Sequence, residues 1–302
     1  MGIARTPVIG GMTGAYAGRS NGGHVFACGE VLLGIQAMLN DLELLTGAGS
    51  PYTNVNALPM LDHAQPDLDG ELLENCTDRF AIVMYDCSHH PLEENTEMTA
   101  DYVRRHGKEV VIEGAVDELK EATAEGAFDL TTPAQAEQFL EQTDVDLIVC
   151  NLGTEHRAAA AGKVQYHGER AREIRDRVGR RMVLHGTSSL GDDDLHALPG
   201  DGIMKVNIWT ILERKGGQAV ARQVIADLGN ILNEAAIREL QAEGRLGQRH
   251  LSDAYRTEYC GGSLGPKLDA MTVASRRDAW MQTIVPTMKR YYRMFGYENL
   301  AD

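Results

Sequence analysis

Eight short apolar runs, alternating with helical stretches over the first two-thirds of the 302-residue chain, predict an α/β fold. Of the α/β folds they favour a (β/α)8 TIM barrel with a helical C-terminal extension. Most runs are continuous rather than alternating, as expected of strands covered on both faces of a parallel sheet. In order they are TPVIGG (6–11), HVFACG (24–29), ALPMLDH (57–63), FAIVMYDCS (80–88), EVVIEGAV (109–116), VDLIVCNLGT (145–154), RMVLHGTS (181–188) and GIMKVNIWT (202–210). The helical stretches include EVLLGIQAMLNDLELL after the second run, LEENTEMTADYVRRHG after the fourth and TPAQAEQFLEQT before the sixth. Only a short glycine-rich segment separates the first two runs. Without them six strands remain, and an open doubly wound sheet becomes the alternative. From about Ile211 onward the pattern is mainly helical, and Pro286 suits the first turn of a last helix through Met288, Tyr291 and Phe295. Between them Leu251 to Lys267, polar and glycine-bearing, is expected to be a loop or an arm.

Composition removes several classes of partner. Lys and Arg total 29 against 44 Asp and Glu, a formal charge of −15, which argues against a nucleic-acid groove. Apolar residues at 43% and charged residues at 24% describe an ordinary globular chain. No run approaches the ~20 apolar residues of a membrane-crossing helix. The cysteines, Cys28, Cys76, Cys87, Cys150 and Cys260, are scattered and lack a C-x-x-C pair, so neither a disulfide framework nor a thiolate zinc site is indicated. The N-terminus does not read as a signal peptide, which makes the cytoplasm the expected location. GGMTGAYAG does not give the G-x-G-x-x-G spacing of a dinucleotide loop.

Polar residues able to bind metal or move protons recur where the runs end: Asp62 and His63, Asp86 and Ser88, Glu113, His156, His185 with Ser188, and Asn207 with Thr210. In an α/β barrel that rim carries the active site. Three histidines from three strand ends can hold one ion tetrahedrally and leave a fourth position for substrate. One strand-end histidine is more often structural; three on one rim, one beside an aspartate, point to a metal centre. His89 and His90 are not expected to be ligands, because adjacent side chains should diverge.

LDHA (61–64), MYDCSHHPLEEN (84–95), LGTEH (152–156), VLHGTSS (183–189) and KVNIWT (205–210) fall in one order and spacing. In that order the chain resembles the class II, metal-dependent ketose-bisphosphate aldolases, from about residue 24 to 210. The closing RYYRMFGYENL is compatible too. The resemblance implies a single barrel domain over residues 1–302, of which 211–302 is the mainly helical C-terminal part. It implies one zinc ion per subunit held by His63, His156 and His185, though other divalent metals could serve. Asp62 matches the family aspartate that moves a proton at the aldehyde or hydroxyl carbon; otherwise it only orients His63. Asp86, Ser88 and Glu113 would shape the site from behind the ligands, and Gly186, Ser188, Asn207 and Thr210 would meet a small anionic substrate. A homodimer or homotetramer is also implied.

The departures from the family pattern are local. Arg157 stands where the family has glycine, and Lys163 lies too far along to match the expected lysine. The phosphate loop survives in part as His185, Gly186, Thr187, Ser188 and Ser189, and Trp209 replaces a small residue. Glu113 remains, but the second glutamate aligns with Ala115, leaving Glu118 or Glu121 as candidates for the enolising base. The metal core reads as intact and the phosphate end as rebuilt. Arg157 could bind a carboxylate or phosphonate through two parallel hydrogen bonds. The expectation is a lyase whose substrate has diverged from fructose 1,6-bisphosphate, with a pyruvate- or oxaloacetate-like keto acid as donor, as in phosphonate biosynthesis. The alternatives are a conventional dihydroxyacetone-phosphate aldolase and a non-catalytic metal-binding ligand sensor.

Overall fold

The computed structural model describes residues 7–16, 21–117, 130–154 and 165–297. Seven parallel strands form one sheet in sequential order: β1 (Val8–Thr13), β2 (Ala57–Ala64), β3 (Ile82–Tyr85), β4 (Val111–Ala115), β5 (Leu147–Val149), β6 (Met182–Leu184) and β7 (Ile203–Val206). Helices α1 (Val31–Thr46), α2 (Pro66–Asn75), α3 (Leu92–His106), α4 (Pro133–Thr143), α5 (Gly168–Val178) and α6 (Asp192–Ala197) alternate with them. Each strand pairs with the next, so the βα repeat read from the apolar runs is the observed architecture.

The described residues hold seven strands, not eight. HVFACG is not a strand: Gly22–His24 is a 3-10 turn, and Val25 and Phe26 lie exposed with no ladder partner. Its apolar run is too short, and Gly29 at φ +76° breaks the extended backbone. This turn packs on α1 through a glycine contact. A Cβ on Gly34 would stand 1.8 Å from the Gly22 carbonyl oxygen. Gly34→Ala is therefore expected to destabilise the fold by about 1–3 kcal/mol, read as a lower denaturant midpoint; an unchanged midpoint would show that the turn moves freely.

The sheet is curled. Strands lie about 4.8 Å apart, so β2 and β7 would be roughly 24 Å apart in a flat sheet. Yet Asn207, just past β7, donates from Nδ2 to Asp62 Oδ1 on β2 at 3.0 Å. One face of every strand from β2 to β6 supplies a shared apolar core: Met60, Ile82, Met84, Ala115, Val149 and Val183. Side chains alternate across a strand, so Asp62, Glu113 and His185 fall on the same face as Met60, Ala115 and Val183. Apolar packing in the interior thus leads directly up to the polar rim.

The chain falls into two compact units, one reaching Ile208 and resuming at Tyr292, the other Trp209–Tyr291. The described elements of the second are helical: α7 (Thr210–Ala226), α8 (Leu228–Ile231), α9 (Glu234–Ala242), α10 (Asp253–Cys260), α11 (Leu268–Met271) and most of α12 (Val273–Met294). The 251–267 segment, expected to be a loop or arm, contains α10. Ser252 accepts from the Tyr255 amide at its start, and Gly261 at φ +64° ends it. Pro286 lies inside α12 rather than in its first turn. No helix among the described residues is long and apolar enough to cross a membrane.

Candidate metal centre

Asp62 and His63 are adjacent, and in a straight strand their side chains would point to opposite faces. They do not. The β2–β3 register shifts between Leu61 and Ala64, and His63 takes φ +51°, a left-handed conformation uncommon for a residue with a Cβ. This bulge turns both side chains to one side. One ligand atom each from Asp62, His63 and His185 lies within 4.8 Å of the others. Backbone strain of this kind costs on the order of 1–3 kcal/mol and tends to gather at functional sites.

Each imidazole is oriented by a buried carboxylate. His63 Nδ1 lies 2.6 Å from Asp86 Oδ2, and His185 Nε2 lies 3.1 Å from Glu113 Oε1. The carboxylates accept, so those nitrogens carry the protons and the lone pairs fall on His63 Nε2 and His185 Nδ1. These two atoms face each other at 3.1 Å. Two ligands at 2.0–2.1 Å from a tetrahedral zinc ion stand about 3.3 Å apart, so the pair is spaced and polarised to share a cation. His63 and His185 fit a divalent metal by donor chemistry and by spacing, and a carboxylate oxygen of Asp62 lies within 4.8 Å of both.

The surrounding contacts explain several motif residues. Burial works against charge on Asp86, but the hydrogen bond and electrostatic attraction of the His63 ring, with two more hydrogen bonds from Ser88, outweigh it. Its carboxyl is held well below the usual range. Ser88 therefore acts on the site through Asp86. Gly186, at φ +75°, turns the chain immediately after His185, and Thr187 Oγ1 donates to the Asn207 carbonyl at 2.8 Å. Ser188 Oγ is shielded from solvent without a hydrogen-bond partner among the described residues. Thr210 opens α7 in the second compact unit. His156, Arg157, Lys163, Glu118 and Glu121 lie outside the described residues.

Sequence reasoning passed over four contributors. Lys205 Nζ, buried, lies 2.8 Å from Glu113 Oε2 and 2.5 Å from Asn207 Oδ1. Tyr16 packs its ring on His63, centroids 5.3 Å apart. Thr154 Oγ1 donates to the His185 carbonyl at 2.7 Å, and buried Asn95 donates to the Ala115 carbonyl at 2.9 Å, tying α3 to the end of β4. Lys205 and Asn95 were visible inside KVN and EEN, but only the fold supplies their partners. One expectation is corrected: His89 and His90 do not diverge, their ring centroids being 4.2 Å apart. With Asp67 they form a second, more exposed grouping.

The family model described as fructose-bisphosphate aldolase class-II matches residues 31–294. A fructose-bisphosphate aldolase of Giardia intestinalis is 33% identical over 120 residues, 38% of this chain and 37% of that protein. One from Helicobacter pylori is 31% identical over 153 residues, 47% and 48% of the respective lengths. The aligned chain thus spans less than half of either relative. Among solved structures, the Campylobacter jejuni fructose-bisphosphate aldolase superposes with a TM-score of 0.66 at 17% identity, covering 95% of this chain and 82% of that one. The YdjI aldolase from Escherichia coli K12 gives 0.58 at 20%, with 99% and 85% covered. At these identities the superpositions speak to the fold alone. The match over residues 31–294 covers most of the sequence, and on it the chain belongs to the class II fructose-bisphosphate aldolase family.

Proposed function

We propose that the protein is a zinc-dependent class II aldolase, making or cleaving an aldol between an enolisable keto donor and a small phosphorylated or phosphonylated aldehyde. The observation that carries this is the facing pair of imidazole nitrogens, each set by its own carboxylate, with the Asp62 carboxylate beside them. His63 and His185 would hold the ion, with His156 as third ligand on the family resemblance. A divalent ion bound there supplies Lewis acidity to the donor carbonyl. Asp62, steadied by Asn207, would give a proton to the new alkoxide in condensation and take the hydroxyl proton in cleavage. On the family resemblance, Gly186 and Ser188 would meet the anionic group of the substrate.

The donor is proposed to carry a carboxylate, because Arg157 replaces the family glycine and a guanidinium binds carboxylates in fork geometry. Pyruvate or oxaloacetate then outperforms dihydroxyacetone phosphate. The test is deuterium exchange into each donor, with and without a chelator. Exchange into a keto acid, lost on chelation and regained with zinc, is expected. Exchange only into dihydroxyacetone phosphate overturns the donor assignment, and exchange indifferent to the chelator overturns metal dependence.

A further inference from the structure

Lys205 is explained neither by the metal ligands nor by the proton-moving aspartate, yet it connects them. It lies on β7 with its side chain 6% exposed, while neighbouring Met204 faces solvent. Burying an ammonium is costly unless its partners are good. Here they are two: Nζ sits 2.8 Å from Glu113 Oε2 and donates to Asn207 Oδ1 at 2.5 Å. Glu113, fully buried, spends its other oxygen on His185 Nε2 at 3.1 Å, and Asn207 spends its amide nitrogen on Asp62 at 3.0 Å. The chain of contacts runs Asp86, His63, His185, Glu113, Lys205, Asn207, Asp62, and closes through the peptide bond between Asp62 and His63.

We propose that Lys205 is the positioning residue of this site, one cation that aims both Glu113 at the ligand His185 and Asn207 at Asp62. The second role is a matter of polarity. An asparagine side chain can present either oxygen or NH2 to Asp62, and only the NH2 is compatible with a carboxylate. A donor fixed on Oδ1 leaves NH2 for Asp62. The first role is similar: Oε2 held by the ammonium leaves Oε1 turned to His185. A neutral residue of the same length would fill the space and perform neither task. This inference rests on the aldolase reading for its consequence in turnover, but the geometry it assigns can be tested without turnover.

The experiment compares the full chain with Lys205→Met, Lys205→Arg and Glu113→Gln/Lys205→Met. Three measurements are made: the Asn207 side-chain amide signals in metal-free protein (assigned by their loss in Asn207→Asp), zinc affinity by chelator competition, and kcat at saturating zinc. In Lys205→Met the Asn207 amide signals are expected to shift and broaden, zinc affinity to fall about 10–100-fold, and kcat to fall at least tenfold with a smaller change in KM. Lys205→Arg should keep the amide signals sharp and recover part of both losses. The double variant should bind zinc no more weakly than Lys205→Met, since with a neutral amide at position 113 no carboxylate is left for the cation to aim, and should not regain kcat, since Asn207 stays unfixed. Unmoved amide signals in Lys205→Met, or zinc affinity and kcat within twofold of the unaltered chain, overturn the proposal. So does a double variant that binds zinc more than tenfold more weakly than Lys205→Met. An unaltered chain that binds no zinc overturns the aldolase reading instead, and the Asn207 amide still decides the role of Lys205.

Discussion

His185→Ala protein is expected to emerge from purification without a tightly held divalent ion and to show no measurable aldol turnover. The loss should exceed the roughly 10–100-fold in metal affinity that removing a partner behind a ligand costs, which makes Asp86→Asn the natural comparison. His185 is buried between Glu113 and His63 and offers one of the two nitrogens that face each other at 3.1 Å. Alanine removes that nitrogen and leaves His63 without the imidazole it faces. Metal content after gel filtration, followed by calorimetric titration with zinc, measures the effect. Because truncation also opens a buried space, His185→Gln serves beside it, keeping bulk while removing the imidazole ligand. Stoichiometric zinc at an affinity within tenfold of the unaltered chain, in both variants, would remove His185 from the ligand set.

The strands were legible because a buried parallel strand writes itself as a continuous apolar run, and the rim because its residues stand where those runs end. Asp62, Asp86, Glu113, His185 and Asn207 were found that way, and the structure brings all five into one connected group. What failed was whatever depends on a departure from regular geometry or on distant pairing. HVFACG has the composition of a strand, but four apolar residues between a 3-10 turn and a left-handed glycine do not extend a ladder here. The bulge at His63 is silent in the sequence, since period-two reasoning would send Asp62 and His63 to opposite faces. The same reasoning separated His89 from His90, whose rings in fact lie side by side. Lys205 and Glu113 are 92 positions apart, and only the curl of the sheet makes an ion pair of them. Helix α10 was hidden by its polar composition, its Ser252 cap and Gly261 stop being recognisable only in retrospect.

Asp62→Asn is expected to keep its zinc and lose about 10²- to 10⁴-fold in kcat, the range associated with a positioned proton donor or acceptor. Asparagine preserves the shape and can still accept from the Asn207 amide nitrogen that lies 3.0 Å away, so the anchor survives while the transferable proton does not. A carboxylate that served only to orient its neighbour would give the opposite pattern: weaker zinc binding, with turnover restored when zinc is raised. The two roles also separate by reaction step. Hydrogen exchange at the donor carbon requires no proton transfer at the hydroxyl, so Asp62→Asn should retain far more donor exchange than carbon–carbon bond cleavage. Equal losses in both would place Asp62 at the donor carbon, and an unaffected cleavage rate would remove it from the chemistry. The bulge argues for the first outcome. The left-handed His63 brings the Asp62 carboxylate and the His63 imidazole to the same side of β2. A purely orienting group would not need that geometry, because Asp86 already holds the His63 ring from its far nitrogen.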